Sequence, residues 1–320
     1  MEEIKRVASF FDGMSCGQIA LERIGIIPEK YYASEIDKYA ISITQKNYPN
    51  TIQLGDINKI DGHNLKNIDL FIGGSPCQGF SKAGKQLNFN NPRSKLFFQF
   101  IRILKQCKPK YFLLENVKMK EKYQDIISNY LGVKPIQIDS ALLSAQRRTR
   151  LYWTNISKIV RPIDKEINLS DVLQSGDVDR DKSYCLDANY FKGTNAKQYL
   201  TKCRRQIVWV IPEATKRGYV EVSPGERIDL TFIKSKTRRG RLMIKKSNCL
   251  TATVGNFCKV TNDWFRKFTP IECERLQTVP DNYTQGVSNS QRYKMLGNGW
   301  TVDVIAHIFK SIKDDKTKSP

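Results

Sequence analysis

Histidine is almost missing. The 320-residue chain has only His63 and His307, too little material for a cysteine–histidine hydrolase or a histidine-built metal centre, and no metal is expected. Its eight cysteines, Cys16, Cys77, Cys107, Cys185, Cys203, Cys249, Cys258 and Cys273, include no C-x-x-C pair. That excludes zinc-ribbon and disulfide-framework spacing and suits a reducing compartment. No apolar run approaches the ~18 residues of a membrane span, and no basic-plus-apolar opening of the secretory kind is present. A soluble, cytoplasmic protein is expected. Acid is the other shortage: 32 Asp and Glu face 53 Lys and Arg, a net charge of +21. Such a field attracts polyanions, nucleic acid first, although the lysine-rich usage of a low-GC bacterium or phage gives the same excess. Repeats and extended low-complexity tracts are not evident.

What is present is organised around Gly73-Gly74-Ser75-Pro76-Cys77-Gln78-Gly79-Phe80-Ser81. It follows the apolar run Ile68 to Ile72, so Cys77 falls in the loop beyond a strand's carboxyl end, where open α/β sheets place their ligands. Pro76 fixes one φ angle before the thiol and the glycines permit the turn. The alternative is a small buried thiol, since most free cysteines are inert.

Upstream, the strand-like Val7 to Phe11 leads through Asp12, Gly13, Met14, Ser15, Cys16 and Gly17 into the helical spacing of Gln18 to Ile24. A second strand, Lys30 to Glu35, ends in a carboxylate about 20 residues on, the pattern of a nucleoside cofactor site. Glu35 could hold ribose hydroxyls and Ile36 an adenine face. Asp56, beside Ile57, could meet an adenine amino group or cap a turn. Tyr111 to Leu114 is a further buried strand, with Glu115-Asn116-Val117 at its carboxyl end. Gln146-Arg147-Arg148-Thr149-Arg150 then sets guanidiniums beside an aromatic strand, suited to phosphate or base-carbonyl contacts.

Between these lie the irregular stretch Lys82 to Arg93, read as a lid carrying Lys82, Lys85 and Arg93, and the core helix Lys95 to Lys105. From about 156 to 260 the composition turns polar, basic and glycine-containing, with its densest charge at Lys234 to Arg241. Lys236, Arg238, Arg239 and Arg241 fit a phosphate-tracking loop; a solvated loop fits equally. Thr269-Pro270 starts a capped helix, and Gly297-Asn298-Gly299-Trp300 precedes a final apolar helix. The expected division is 1–155 catalytic, 156–260 a second domain, and 261–320 a return to the first.

Read in order, Phe11/Gly13/Gly17, Glu35, Asp56, Pro76-Cys77-Gln78, Glu115-Asn116-Val117, the arginine motif and Gly297-Asn298-Gly299 resemble the DNA (cytosine-5)-methyltransferase family over nearly the whole chain. Phe11-Asp12-Gly13 and Leu96-Phe97-Phe98 look like the vertebrate de novo enzymes, whereas the Cys77 and arginine motifs look bacterial or phage. Ser15 and Cys16 stand where many relatives have glycines. The resemblance implies a class I S-adenosylmethionine-dependent α/β fold with a mostly parallel seven-stranded sheet, and 156–260 as the target-recognition domain. It implies Cys77 as nucleophile, Glu115 as acid, Arg148 and Arg150 at the flipped base, and Arg147 and Ser81 toward DNA. Thr251 and Thr253 could touch the target strand or be buried strand residues. A monomer acting on double-stranded DNA is expected, either with a separate cognate restriction endonuclease or as an orphan or prophage enzyme. The same catalytic residues would serve a tRNA cytosine-5 methyltransferase, and a catalytically silent DNA binder could keep the fold.

Overall fold

Short apolar runs that end in polar or glycine residues build one sheet. The computed structural model describes residues 4–76, 92–194, 199, 201–220, 227–228, 235–237, 239, 242–243 and 265–314. Its strands are β1 (Arg6–Phe10), β2 (Lys30–Ser34), β3 (Ile52–Gln53), β4 (Leu70–Gly73), β5 (Tyr111–Val117), β6 (Ile136–Asp139) and β7 (Thr149–Thr154). They lie in the order β3-β2-β1-β4-β5-β7-β6. All pairings are parallel except those of β7, which runs antiparallel between β5 and β6. The order reverses between β1 and β4, and the crevice at such a switch is where doubly wound sheets bind ligands.

Strand alternation divides the core in two. Val7, Leu70, Ile72, Leu113 and Tyr152 face one cluster; Ala8, Phe10, Phe71, Leu114, Leu151 and Trp153 face the other. The first is covered by α1 (Cys16–Arg23) and by the last described helix, so the chain's final third returns to the sheet that its first third began. The second is covered by α3 (Pro92–Cys107) and α4 (Glu121–Leu131), while α2 (Lys38–Asn47) follows β2. Arg93, expected in an irregular loop, lies in the first turn of α3.

Gly17 has a packing role that the sequence does not show. A Cβ there would stand 2.5 Å from Ile72 Cδ1 and 2.7 Å from Tyr31 Oη. The glycine therefore lets α1 sit against the sheet.

The return begins with α5 (Pro270–Leu276), started by a Thr269/Glu272 capping box with Pro270 in the first turn, as the sequence predicts. Glu272 and Glu274 on this helix are fully buried, paired with Arg266 and Arg292 respectively. Then come α6 (Asn289–Asn298) and α7 (Val302–Asp314), which buries Val302, Ile305, Ile308, Phe309 and Ile312. In the 156–260 stretch the described strands are short and antiparallel: Ile211–Pro212 pairs with Tyr219–Val220, Arg227–Ile228 with Leu242–Met243, and Ile207–Trp209 with Phe265–Lys267 just beyond the stretch. Among the described residues no helix is long and apolar enough to cross a membrane, and no cluster could hold a metal ion.

Candidate active site

The carboxyl ends of β1, β2, β4 and β5 open into a cavity of about 470 Å³, closed on its far side by the α6–α7 turn. One end is acidic. Glu35 Oε2 accepts the Gly13 amide at 2.8 Å, and Oε1 accepts the Ile36 and Asp37 amides at 2.7 and 2.9 Å. Backbone donors thus fix this carboxylate without a cation. Ile36 is 76% exposed, an apolar side chain on the cavity rim. Asp56 both lines the cavity and caps a short helical turn, with Oδ1 accepting the Asn58 amide at 3.0 Å. Ile57 and Pro76 line it as well.

The first loop is held in unusual backbone geometry: Phe11, Gly13 and Ser15 have φ of 57°, 60° and 65°. For the two non-glycine residues that conformation costs roughly 1–3 kcal/mol each, of the kind found at functional sites. Phe11, Asp12 and Gly13 line the cavity; Met14, Ser15 and Gly17, predicted beside them, do not. Ser15 is buried and acts on Asp12 instead, donating to Oδ2 at 2.7 Å, while Tyr31 Oη donates to Oδ1 at 2.9 Å. Met14 packs at Gly299. Cys16 lines the cavity, but burial pushes its thiol up to about 12, which removes it as a nucleophile.

Burial also pushes the Asp12 carboxyl up to about 6, against donors that include Ser15 and Tyr31. Among the described residues no Lys or Arg pairs with it. A cationic nucleoside entering this end would meet Asp12 and Glu35 and an exposed apolar face at Ile36. The residues fit such a group. The pH consequence follows from linkage. The unfolded carboxyl ionises near 3.8. Between pH 4 and 6 the native state therefore keeps a proton that the unfolded chain has released, and stability falls as pH rises through that window. Asp12→Asn removes that slope. Melting curves from pH 4 to 8 are expected to separate across this window by an amount of order 3 kcal/mol; parallel curves would contradict the assignment.

The inner end carries the paired charges. Glu115 Oε1 lies 3.0 Å from Arg150 Nε, with both side chains nearly buried. Burial pulls the Arg150 guanidinium down, but the Glu115 carboxylate, together with Cys185 and Tyr152, outweighs it and holds the net shift upward. Arg148, by contrast, is shifted down, by burial and by the like charge of Arg150. Its nitrogens are committed: Nη1 donates to Leu186 O at 2.8 Å, and Nη2 to Gly297 O at 3.2 Å and Gly299 O at 2.8 Å. Arg148 thus clamps backbone around the cavity, while Arg150 meets the carboxylate. Asn116 Nδ2 donates to Ser75 O and Oγ at 3.3 and 3.2 Å, tying the end of β5 to the loop that leads to Cys77. Cys77 itself lies outside the described residues, as do Ser81, Lys82, Lys85, Arg238, Arg241, Thr251 and Thr253. Arg147 and Lys236 are exposed; Arg239 is exposed and donates to Ala214 O.

Several participants were not singled out by sequence. Cys185 Sγ accepts from Arg148 Nη1 at 3.4 Å and Arg150 Nη2 at 3.9 Å. Gln146, quoted only as part of the arginine motif, donates to Leu276 O and Gln277 Oε1 and accepts the Leu186 amide. Lys294 and Asp37 both line the cavity and pair at 2.7 Å. For Cys185 and Gln146 no local signal existed, because their partners are remote in the chain.

The switch-point cavity, its acidic strand ends and the one antiparallel strand of the sheet are those of the class I methyltransferase fold. Solved structures agree: the Entamoeba histolytica methyltransferase EhMeth superposes with a TM-score of 0.65 at 20% identity, covering 99% of this chain and all of that one. DNMT2 of Spodoptera frugiperda gives 0.62 at 20% identity, covering 97% and 99%. The chain belongs to the C-5 cytosine-specific DNA methylase family, whose model matches residues 5–314, and is therefore a DNA cytosine-5 methyltransferase. Similar proteins include the type II methyltransferase M.HhaI of Haemophilus parahaemolyticus, 28% identical over 96% of this chain and 94% of its own length. M1.ScrFI of Lactococcus lactis subsp. cremoris is 29% identical over 90% and 73%. The orphan methyltransferase M.Rho11sI of Bacillus phage rho11s is 37% identical over 71% of this chain but only half of its own length.

Proposed function

We propose that the chain methylates C5 of a cytosine flipped out of double-stranded DNA within a short specific sequence, through a covalent bond between Cys77 and C6. The observation that carries this reading is the Glu115–Arg150 pair at the inner end of the same cavity that holds Glu35 and Asp56. Cytosine C5 is a weak nucleophile, and adding a thiolate at C6 makes it electron-rich. Glu115, set against N3, would hold the proton as charge develops there. Arg150 keeps that carboxylate in place and is the better placed of the two to reach the base carbonyl, since both Nη groups of Arg148 donate to backbone whereas Arg150 gives only Nη1 to a carbonyl, that of Thr149. Extruding the base costs a few kcal/mol, which contacts in the cleft must offset.

Glu35, Ile36, Asp56 and Trp300 would hold S-adenosylmethionine, which when bound supplies an electrophilic methyl. Residues 156–260 would read the target sequence, with Lys236 and Arg239 toward phosphate. A cytoplasmic monomer is the expected working form, paired with a separate restriction endonuclease or acting alone.

Bisulfite sequencing of plasmid, host DNA and host tRNA tests this reading, using cells that lack native C5 methylation and either express the chain or carry an empty vector. Conversion-resistant cytosine in one short DNA context is expected only with the chain. Resistance confined to tRNA would move the substrate to RNA, and none anywhere would contradict the proposed reaction.

A further inference from the structure

Trp300 stands in the turn between α6 and α7, where its indole forms part of the cavity wall. Its Nε1 donates to Glu115 Oε2 at 3.2 Å. The other oxygen of the same carboxylate takes Arg150 Nε. Glu115 is therefore gripped from two sides by groups remote from it and from each other in the chain. A third observation concerns the backbone opposite. A Cβ on Gly74 would stand 2.9 Å from Trp300 Nε1 and 3.1 Å from Glu115 Oε2, so the bond fits only because residue 74 has no side chain. The turn bearing the indole is itself fixed. Gly299 O accepts from Arg148 Nη2 and Gln277 Nε2, and Thr301 Oγ1 donates to Gln277 Oε1.

We propose that Trp300 is a positioning residue for Glu115, and that its indole N–H makes the methyl-donor wall and the acid that meets the base one rigid unit. This rests on the reading of Glu115 as the group that serves N3. A carboxylate held by a single contact can still turn about that contact. A second donor on the other oxygen fixes the plane of the group and hence the direction in which it offers or accepts a proton. Bonds of this charge-assisted kind are roughly twice as strong as neutral ones, and a 1 Å misplacement of a catalytic group can cost about 10²-fold. Among the described residues no other N–H donates to Glu115 Oε2, so this bond depends on the indole at position 300.

The test reads release of tritium from [5-³H]cytosine DNA in the absence of methyl donor, which reports thiol addition at C6, protonation of C5 from solvent, loss of the triton from C5 and elimination of the thiol. Trp300→Phe keeps an aromatic wall and removes the donor. Release is expected to fall about 10-fold; because the assay holds no methyl donor, a change in donor affinity does not enter it. In a Glu115→Gln background the same substitution is expected to cost less than about 2-fold, because coupled residues are non-additive. Gly74→Ala, which presses a methyl against the bond while leaving both partners in place, should reproduce the loss even where Trp300→Phe fails to fold. Equal losses with and without Glu115, or unchanged release with weakened donor binding, would reduce Trp300 to a cofactor wall and overturn the proposal. Failure of the wild type to release tritium above a Cys77→Ala control would overturn the reading of the site, and the proposal with it.

Discussion

Cys77→Ala lowers methyl transfer by about 10⁵-fold or more, the scale on which losing a covalent nucleophile acts, while methyl-donor binding is retained. The expectation combines two separate parts of the cavity. Glu35, Ile36 and Asp56 are set by the ends of β2 and β3 and by backbone donors, none of which involves the thiol loop. The inner end holds Glu115, whose carboxylate is paired with Arg150 and is a weaker nucleophile than a thiolate, and Cys16 is a buried thiol pushed up to about 12. No neighbour described in the cavity can therefore substitute for Cys77. Single-turnover assays with a tritiated methyl group measure the first part and calorimetry the second. Turnover equal to wild type would remove the covalent mechanism; lost binding would mean that the two ends are not independent.

Arg148→Ala is expected to cost roughly 3–5 kcal/mol of stability, in the range seen when a buried charged hydrogen-bond network is broken. The residue is 4% exposed and joins β7's approach to residue 186 and to the 297–299 turn. Its removal leaves the buried carbonyls of Leu186 and Gly297 without this donor and takes one of two donors from Gly299 O. For a chain of this size the melting temperature should drop by about 4–8 °C, readable by calorimetric scanning at matched pH. Arg148→Lys should lose most of the same stability, because one ammonium cannot span carbonyls reached by a planar fork. Arg150→Lys, with its charge partner at the cavity, should instead leave melting nearly unchanged and lower the rate. If Arg148→Ala melted like wild type, the clamp would not be what holds the turn.

Much of this was legible in advance, and the reason is local. Glu35 and Asp56 follow short strands, and a strand end is visible as an apolar run that stops; Glu115 stands at the end of such a run too, although β5 continues through it to Val117, paired with β7. Thr269-Pro270 announced its helix through capping chemistry that involves only neighbours. What sequence concealed was set by contacts across the fold. Gly17 sits in a glycine loop and reads as a cofactor contact, yet Ile72 and Tyr31, from other strands, are what exclude a side chain there. Arg148 and Arg150 are the same residue type two positions apart, and only the carbonyls of residues 186, 297 and 299 separate clamp from active-site ion pair. Trp300 reads as a cofactor residue because its partner Glu115 lies far back in the chain.

The walls of the cavity are written at both ends of the message. Asp12, Glu35 and Asp56 are made early, whereas Lys294 and Trp300 come last. Because chains emerge amino-terminus first at roughly 5–20 residues per second, a ribosome-bound intermediate holds its acidic strand ends for many seconds with one wall unbuilt. The stretch proposed to read DNA is synthesised before that wall closes. Translation cut short before residue 294 therefore yields a chain without the Lys294 and Trp300 wall, and such fragments are expected to transfer no tritiated methyl group to DNA.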